Sequence, residues 1–222
     1  MDIHDLVNII DNVDWDERLP ETREKVETCE YYNMLEYRDL LSNAHKTDFL
    51  LLHMNIVSLS RKQSKLENIL HLSEKMPDVI ALSETKIRIA DNVQDAYNID
   101  FYDFVHRDTP THFGGVGLYI RESLDFVVRD DLTLNCEGCE DLWIEIKNKK
   151  NKNLVIGVIY RHPRHSFATF QETFCRTLEK LSLENKNIYT FGDYNIDFMR
   201  SVRVHQSLLQ LNHEFFLQIA YR

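Results

Sequence analysis

The sequence predicts an α/β protein built from two mixed β-sheets with helices packed outside them. Three observations carry this. Short runs rich in Val, Ile, Leu, Phe and Tyr recur from residue 49 onwards. Two amphipathic stretches each lie between two such runs, which gives a β-α-β arrangement twice. The runs between 115 and 160 follow one another too closely for parallel crossovers, so antiparallel pairs are required as well.

Residues 1–47 precede this pattern. They are polar and acidic, aromatic only at Trp15, Tyr31, Tyr32 and Tyr37, and interrupted by Pro20, so they read as a loosely attached, partly helical leader. Residues 48–222 read as the folded domain. Strands are expected at 49–55, 78–83, 101–106, 115–121, 125–129, 141–147, 153–160 and 187–192. The first helix is expected over 59–75, where Leu59, Leu66, Ile69, Leu70 and Leu72 recur at helical spacing with Lys, Glu and Gln opposite. The second spans 167–183, and its stripe of Phe167, Phe170, Phe174, Leu178 and Leu181 is read as core packing. Arg200–Ala220 reads as a further helix.

A chain of 222 residues suits one domain. Such a domain buries roughly 70% of the surface its unfolded chain exposes, enough for a full core. No apolar run approaches the length of a membrane span, and no basic segment leads into an apolar one at the start. The expectation is therefore an intracellular protein, nuclear or cytoplasmic, that is not secreted and has no membrane partner. Oligomeric state leaves no mark in the sequence. Four cysteines, Cys29, Cys136, Cys139 and Cys175, fit reduced thiols. Cys136 and Cys139 form a C-x-x-C, but no second pair stands at metal-ligand spacing, which favours incidental thiols in a loop over a zinc or redox site.

The net charge of −10 argues against a non-specific nucleic-acid binder. It leaves room for an enzyme, because a metal ion and a few local cations can hold a phosphate against a global negative charge. The lysines 147, 149, 150 and 152 read as a solvated hairpin turn. Arg161, His162, Arg164 and His165 follow a strand end and are the more interesting cluster, with Arg200 and Arg203 a third.

Three apolar runs end on polar groups suited to phosphate chemistry, at Asn55, at Glu84 and in the turn Gly192-Asp193-Tyr194-Asn195. One such turn is weak evidence, since Gly, Asp and Asn are ordinary turn residues, and a satisfied strand-end polar group is the commoner case for each residue alone. Taken together with Tyr160 they form a consistent set. Glu84 can hold a hard divalent cation such as Mg²⁺, or Mn²⁺ in its place. Asp193 can orient or deprotonate a water, Asn55 and Asn195 can donate hydrogen bonds, and Tyr160 can donate to developing negative charge.

The strings His53-Met-Asn55-Ile-Val-Ser-Leu59, Pro77-Asp-Val-Ile-Ala-Leu-Ser-Glu84-Thr-Lys86, Gly114-Gly-Val-Gly-Leu-Tyr-Ile-Arg121, Leu142-Trp-Ile-Glu145, Val155-Ile-Gly-Val-Ile-Tyr160-Arg-His-Pro163 and Phe191-Gly-Asp193-Tyr-Asn195-Ile-Asp197 stand in this order. In order and spacing they resemble the endonuclease/exonuclease/phosphatase superfamily, and within it the apurinic-like endonuclease domain of non-LTR retrotransposons, over about residues 48–200. The resemblance implies a four-layer αββα sandwich. It implies Asn55 in the phosphate-side network, Glu84 as principal metal ligand, Tyr160 as a phosphate or transition-state contact, Asp193 as the group that positions or activates water, and Asn195 as support for the scissile phosphate. The implied reaction is Mg²⁺-dependent hydrolysis of a DNA phosphodiester, with DNA as the ancestral substrate.

The resemblance also implies later strands bearing an Asp-His pair. No Asp-His dipeptide occurs in this sequence, and neither His205 nor His213 follows an acid. The expectation is thus a domain incomplete at its C-terminus, lacking its final strands, with weak activity or none. A non-catalytic retroelement remnant, and a superfamily phosphatase or RNA exonuclease, stay open as alternatives.

Overall fold

A computed structural model describes residues 48–71, 75–89, 96–110, 112–149 and 151–195. The leader, Cys29, Leu72, Lys150, the helix expected at Arg200–Ala220 and, with it, Arg200, Arg203, His205 and His213 lie outside the described residues.

The element order is β1 (Leu51–Asn55), α1 (Leu59–His71), β2 (Val79–Ser83), β3 (Tyr102–Arg107), β4 (Val116–Arg121), β5 (Phe126–Val128), a 3-10 turn (Asp130–Leu132), β6 (Cys139–Ile146), β7 (Leu154–Arg161), α2 (Phe167–Ser182) and β8 (Asn187–Asp193). The strands form two four-stranded sheets, ordered β1-β2-β4-β3 and β5-β6-β7-β8. β1 and β2 are parallel with α1 between them in sequence, β7 and β8 are parallel with α2 between them, and the remaining pairs are antiparallel. Both sheets are mixed, as the two β-α-β units and the short intervening connections require.

Alternation along the strands sorts side chains into three cores. Val79 and Ala81 of β2 and Val116, Leu118 and Ile120 of β4 face Leu142, Ile144, Ile156 and Val158 of the second sheet. Their neighbours Ile80, Leu82 and Tyr119 point the other way, against Leu59, Leu66, Ile69 and Leu70 of α1. On the far side of the second sheet, Trp143, Val155 and Ile159 meet Phe170, Phe174, Leu178 and Leu181 of α2. The result is a four-layer αββα sandwich, and the aromatic stripe of α2 is core.

Ser166 caps α2, its hydroxyl accepting from the Thr169 backbone N–H at 3.3 Å. α1 is described to His71, short of the expected residue 75, and Lys75 already lies in a bend where its ammonium donates to the Asp48 carbonyl at 2.7 Å.

One strand differs instructively from expectation. β6 begins at Cys139, two residues early, because the left-handed turn at Gly138 (φ 73°) lets the chain enter the ladder opposite Arg161. Cys139 is therefore a strand residue and not a loop thiol. Burial and the neighbouring Cys136 push its thiol well above the usual range, which disfavours the reactive thiolate at Cys139. The lysines at 147, 149 and 152 do fall in the β6–β7 connection.

Candidate active site

The C-terminal ends of the two parallel pairs, β1/β2 and β7/β8, open on one cleft. Asn55 closes β1, Glu84 follows β2, Tyr160 lies on β7, Asp193 closes β8 and Asn195 follows it. All five polar residues singled out in the sequence converge here. The Asn55 amide nitrogen donates to Glu84 Oε1 at 3.1 Å and to Asp193 Oδ2 at 2.8 Å, so one side chain ties a residue of the first sheet to a residue of the second. The other end of that amide, Oδ1, accepts from the Val57 backbone N–H at 3.1 Å, which fixes which way it faces.

Glu84 is held in the left-handed region at φ 54°. A non-glycine residue there costs on the order of 1–3 kcal/mol and persists only where the surroundings impose it. Here they do: the backbone N–H groups of Thr85 and Lys86 donate to the carbonyls of Gly115 and Gly114 at 3.1 and 2.9 Å. Lys86, also at positive φ, places its ammonium 3.4 Å from Glu84 Oε2 and 5.8 Å from the ring centre of Phe113, which is 64% exposed at the rim.

The second wall is the turn after β8. Asp193 Oδ1 accepts from the Asn195 backbone N–H at 3.0 Å, an Asx turn, and Asn195 takes φ 50°, a conformation that asparagine tolerates better than most residues. A Cβ at Gly192 would run into the Ile159 carbonyl, so only glycine fits before this acid. The Asn195 amide donates to the Arg161 carbonyl at 2.8 Å. Arg161, grouped in the sequence with cations that could hold a phosphate, is buried instead. Its guanidinium donates to the carbonyls of Tyr194, Asn195 and His165 at 2.7, 2.7 and 2.6 Å. It clamps loops, because a buried guanidinium must satisfy its donors on nearby backbone.

Tyr160 is paired in register with Glu140 on one side and Asp193 on the other. Burial, with Glu84 and Asp193 nearby, pushes its hydroxyl up to about 12, against the hydrogen bond to Asn195. The phenol therefore stays protonated and remains a donor. Beneath the cleft, His53 is buried, stacked 6.0 Å from Phe191 and 3.3 Å from the Ser83 hydroxyl; desolvation lowers it to about 4, so it is neutral.

Whether a metal fits can be judged from the donors. No group of three or more His, Cys, Asp or Glu side chains that could hold a metal occurs among the described residues. Mg²⁺ is held by one or two carboxylates with water and substrate phosphate completing its shell, and Glu84 and Asp193 are two hard donors facing one amide.

Residues 52–212 match the Endonuclease/Exonuclease/phosphatase family. The chain belongs to this family. Among solved structures, the AP endonuclease LMAP from Leishmania major is 15% identical with a TM-score of 0.56, covering 78% of this chain and 69% of that one. The endonuclease domain of TRAS1, a telomere-specific non-LTR retrotransposon, is 13% identical with a TM-score of 0.52, covering 76% and 71%. The human Nocturnin catalytic domain is 14% identical with a TM-score of 0.51, covering 74% and 70%. No curated protein matches the chain significantly in sequence. At these identities the structures share the family fold with this chain. No helix among the described residues is long and apolar enough to cross a membrane.

One pair escaped the sequence. His162 Nε2 lies 3.1 Å from Glu140 Oε1, and the His162 ring packs edge-on to Tyr160 with centres 4.9 Å apart. The signal for it is two-dimensional: Tyr160-x-His162 alternates onto one face, and Glu140 joins that face only once the β6–β7 register is known.

Proposed function

We propose that this chain is a divalent-metal-dependent phosphodiester hydrolase that nicks DNA, in the manner of the target-nicking endonucleases of non-LTR retrotransposons. The observation that carries the reading is the single Asn55 amide nitrogen hydrogen-bonded to both Glu84 and Asp193, which holds a metal-ligating carboxylate and a water-activating carboxylate in one cleft. The six ordered sequence strings support the retrotransposon branch, and the fold shared with the TRAS1 endonuclease domain is compatible with it.

Glu84 is the ligand for the ion, Mg²⁺ with Mn²⁺ as a substitute. When bound, the ion offsets the charge on the phosphate and on the departing oxygen. Asp193, with one oxygen engaged by the Asn195 N–H and the other by Asn55, has a fixed orientation and takes the proton of the attacking water. Tyr160, kept protonated, donates to the phosphoryl oxygen on which charge develops. Asn195 and Asn55 steady the scissile phosphate and the base.

Plasmid nicking with and without Mg²⁺, comparing the chain with Glu84→Ala and Asp193→Ala, tests this. Metal-dependent nicking lost in both variants is the expected result. Absence of nicking by folded, soluble protein rejects it in favour of a non-catalytic remnant.

A further inference from the structure

We propose that His162, oriented by Glu140, is the proton donor to the leaving oxygen in this cleft. The inference rests on the hydrolase reading above and assigns a residue that reading leaves without a role. The structure brings four observations together at one place.

First, Glu140, Tyr160 and Asp193 are register partners on three adjacent strands, so their side chains share one face of the second sheet, and the His162 ring packs edge-on against Tyr160 on that same face. Second, the imidazole is engaged on one nitrogen only. Nε2 meets Glu140 at 3.1 Å, while Nδ1 has no partner among the described residues. A ring held by a carboxylate on one nitrogen and open on the other is the arrangement by which an acid–base histidine is aimed. Third, Glu140 is placed by its surroundings. Its Oε2 is buried with no hydrogen-bond partner among the described residues, and a Cβ on Gly114 would collide with its carboxylate, so glycine at 114 is what lets Glu140 come in beside the loop that carries Glu84 and Lys86. An unsatisfied buried carboxylate oxygen costs stability, and its retention calls for a functional reason. Fourth, the side is accessible: Glu140 also lines an open groove with Arg107, Asp130 and Asn135, and the His162 side chain keeps 19% of its exposure.

The water oxygen bonds to phosphorus as the P–O3′ bond breaks; Asp193 takes the water's proton, and the proton on His162 Nδ1 passes to the departing O3′. Solvent then returns one proton to the imidazole and removes one from Asp193. Glu140 is a positioning residue, accepting from the Nε2–H throughout.

The test compares two substrates that differ only in whether the leaving group needs a proton. One is a DNA phosphodiester. The other is the p-nitrophenyl ester of thymidine 5′-monophosphate, whose phenolate departs unaided. With Mg²⁺ present, His162→Gln is expected to lose about 100-fold or more on DNA, the scale of a positioned acid–base group. It should stay within about fivefold of the parent on the nitrophenyl ester. Glu140→Gln should lose in the same sense by a smaller factor. Because Glu140→Gln leaves His162 in place, it serves as the second variant should His162→Gln fail to fold. Equal losses on both substrates, or no loss on DNA, overturn the assignment while leaving the hydrolase reading intact so long as Glu84→Ala is inactive. A parent chain that cleaves neither substrate overturns both.

Discussion

The Arg161 guanidinium on β7 donates to the Asn195 carbonyl beyond β8 at 2.7 Å, while the Asn195 amide donates back to the Arg161 carbonyl at 2.8 Å. This reciprocal pair sets the height of the turn that presents Asp193. Lysine cannot reproduce it, since it lacks the planar fork that reaches several carbonyls at once. Arg161→Lys is expected to lower stability by about 2–4 kcal/mol, from lost charge-assisted hydrogen bonds and unsatisfied carbonyls. Urea unfolding measures this, and nicking activity should fall with it although Arg161 touches no substrate.

Asn55 separates two carboxylates. Asn55→Ala removes the donor shared by Glu84 and Asp193 and leaves like charges facing each other. Mg²⁺ should then stabilise the variant more than the parent. In thermal denaturation, MgCl₂ is expected to raise Tm of the parent by a few degrees, to raise that of Asn55→Ala further, and to leave Glu84→Gln unmoved.

His53 gives the fold a pH dependence whose sign is determined. Desolvation lowers its folded value to about 4, from 6.5 in the unfolded chain. As pH falls through this window the unfolded state takes up a proton that the folded state refuses, so stability declines. Between pH 7 and 5 the loss from this one group is about 2 kcal/mol. Asp141, raised to about 6 by burial, works in the opposite direction: as pH falls below 6 the folded state takes up the proton first and gains stability. Unfolding at pH 7 and 5 should therefore show little net change in the parent, a gain on acidification in His53→Gln, and a pronounced loss in Asp141→Asn.

Arg129 organises an ion network at the far end of the second sheet, donating to Asp131, Glu145 and Glu184 at 2.6–3.0 Å, with Lys186 against the last two. Glu145 is buried, and Arg129→Met leaves it Lys186 and Asn153 as its remaining partners, so the loss of the charged hydrogen bond is expected to cost about 1.5–3 kcal/mol. Adding Glu145→Gln should recover a substantial part. Hydrogen bonding to Arg129 holds Glu184 down at about 2, so the contribution of this pair is full above the ordinary glutamate range and fades as pH falls from about 4.5 towards 2.

Much of this protein was legible because its strands alternate and its helices carry clear stripes. The register of β6 to β8, by contrast, depends on where a turn begins, and nothing local announces that Gly138 starts β6 at Cys139. The same limit hid the Glu140–His162 pair. Asn55, Glu84, Asp193 and Asn195 were visible because each ends or follows an apolar run. Glu140 sits inside a strand and gains meaning only from being opposite Tyr160. Arg161 was misread for a related reason: its charge shows in the sequence, whereas the carbonyls that consume it come from residues 4 to 34 positions away.

The two acids of the cleft belong to separate sheets, and what separates the sheets is a layer of aliphatic side chains, Ala81 and Leu118 on one side and Ile144 and Val158 on the other. That layer behaves as a spacer in a calliper whose jaws are Glu84 and Asp193. Thickening it by a methylene, or thinning it, is expected to open or close the jaws without altering any polar atom, so the hydrocarbon interior is a dial on the gap between the two carboxylates. Divergence among chains of this shape can retune their chemistry from the inside, through residues that never meet the solvent.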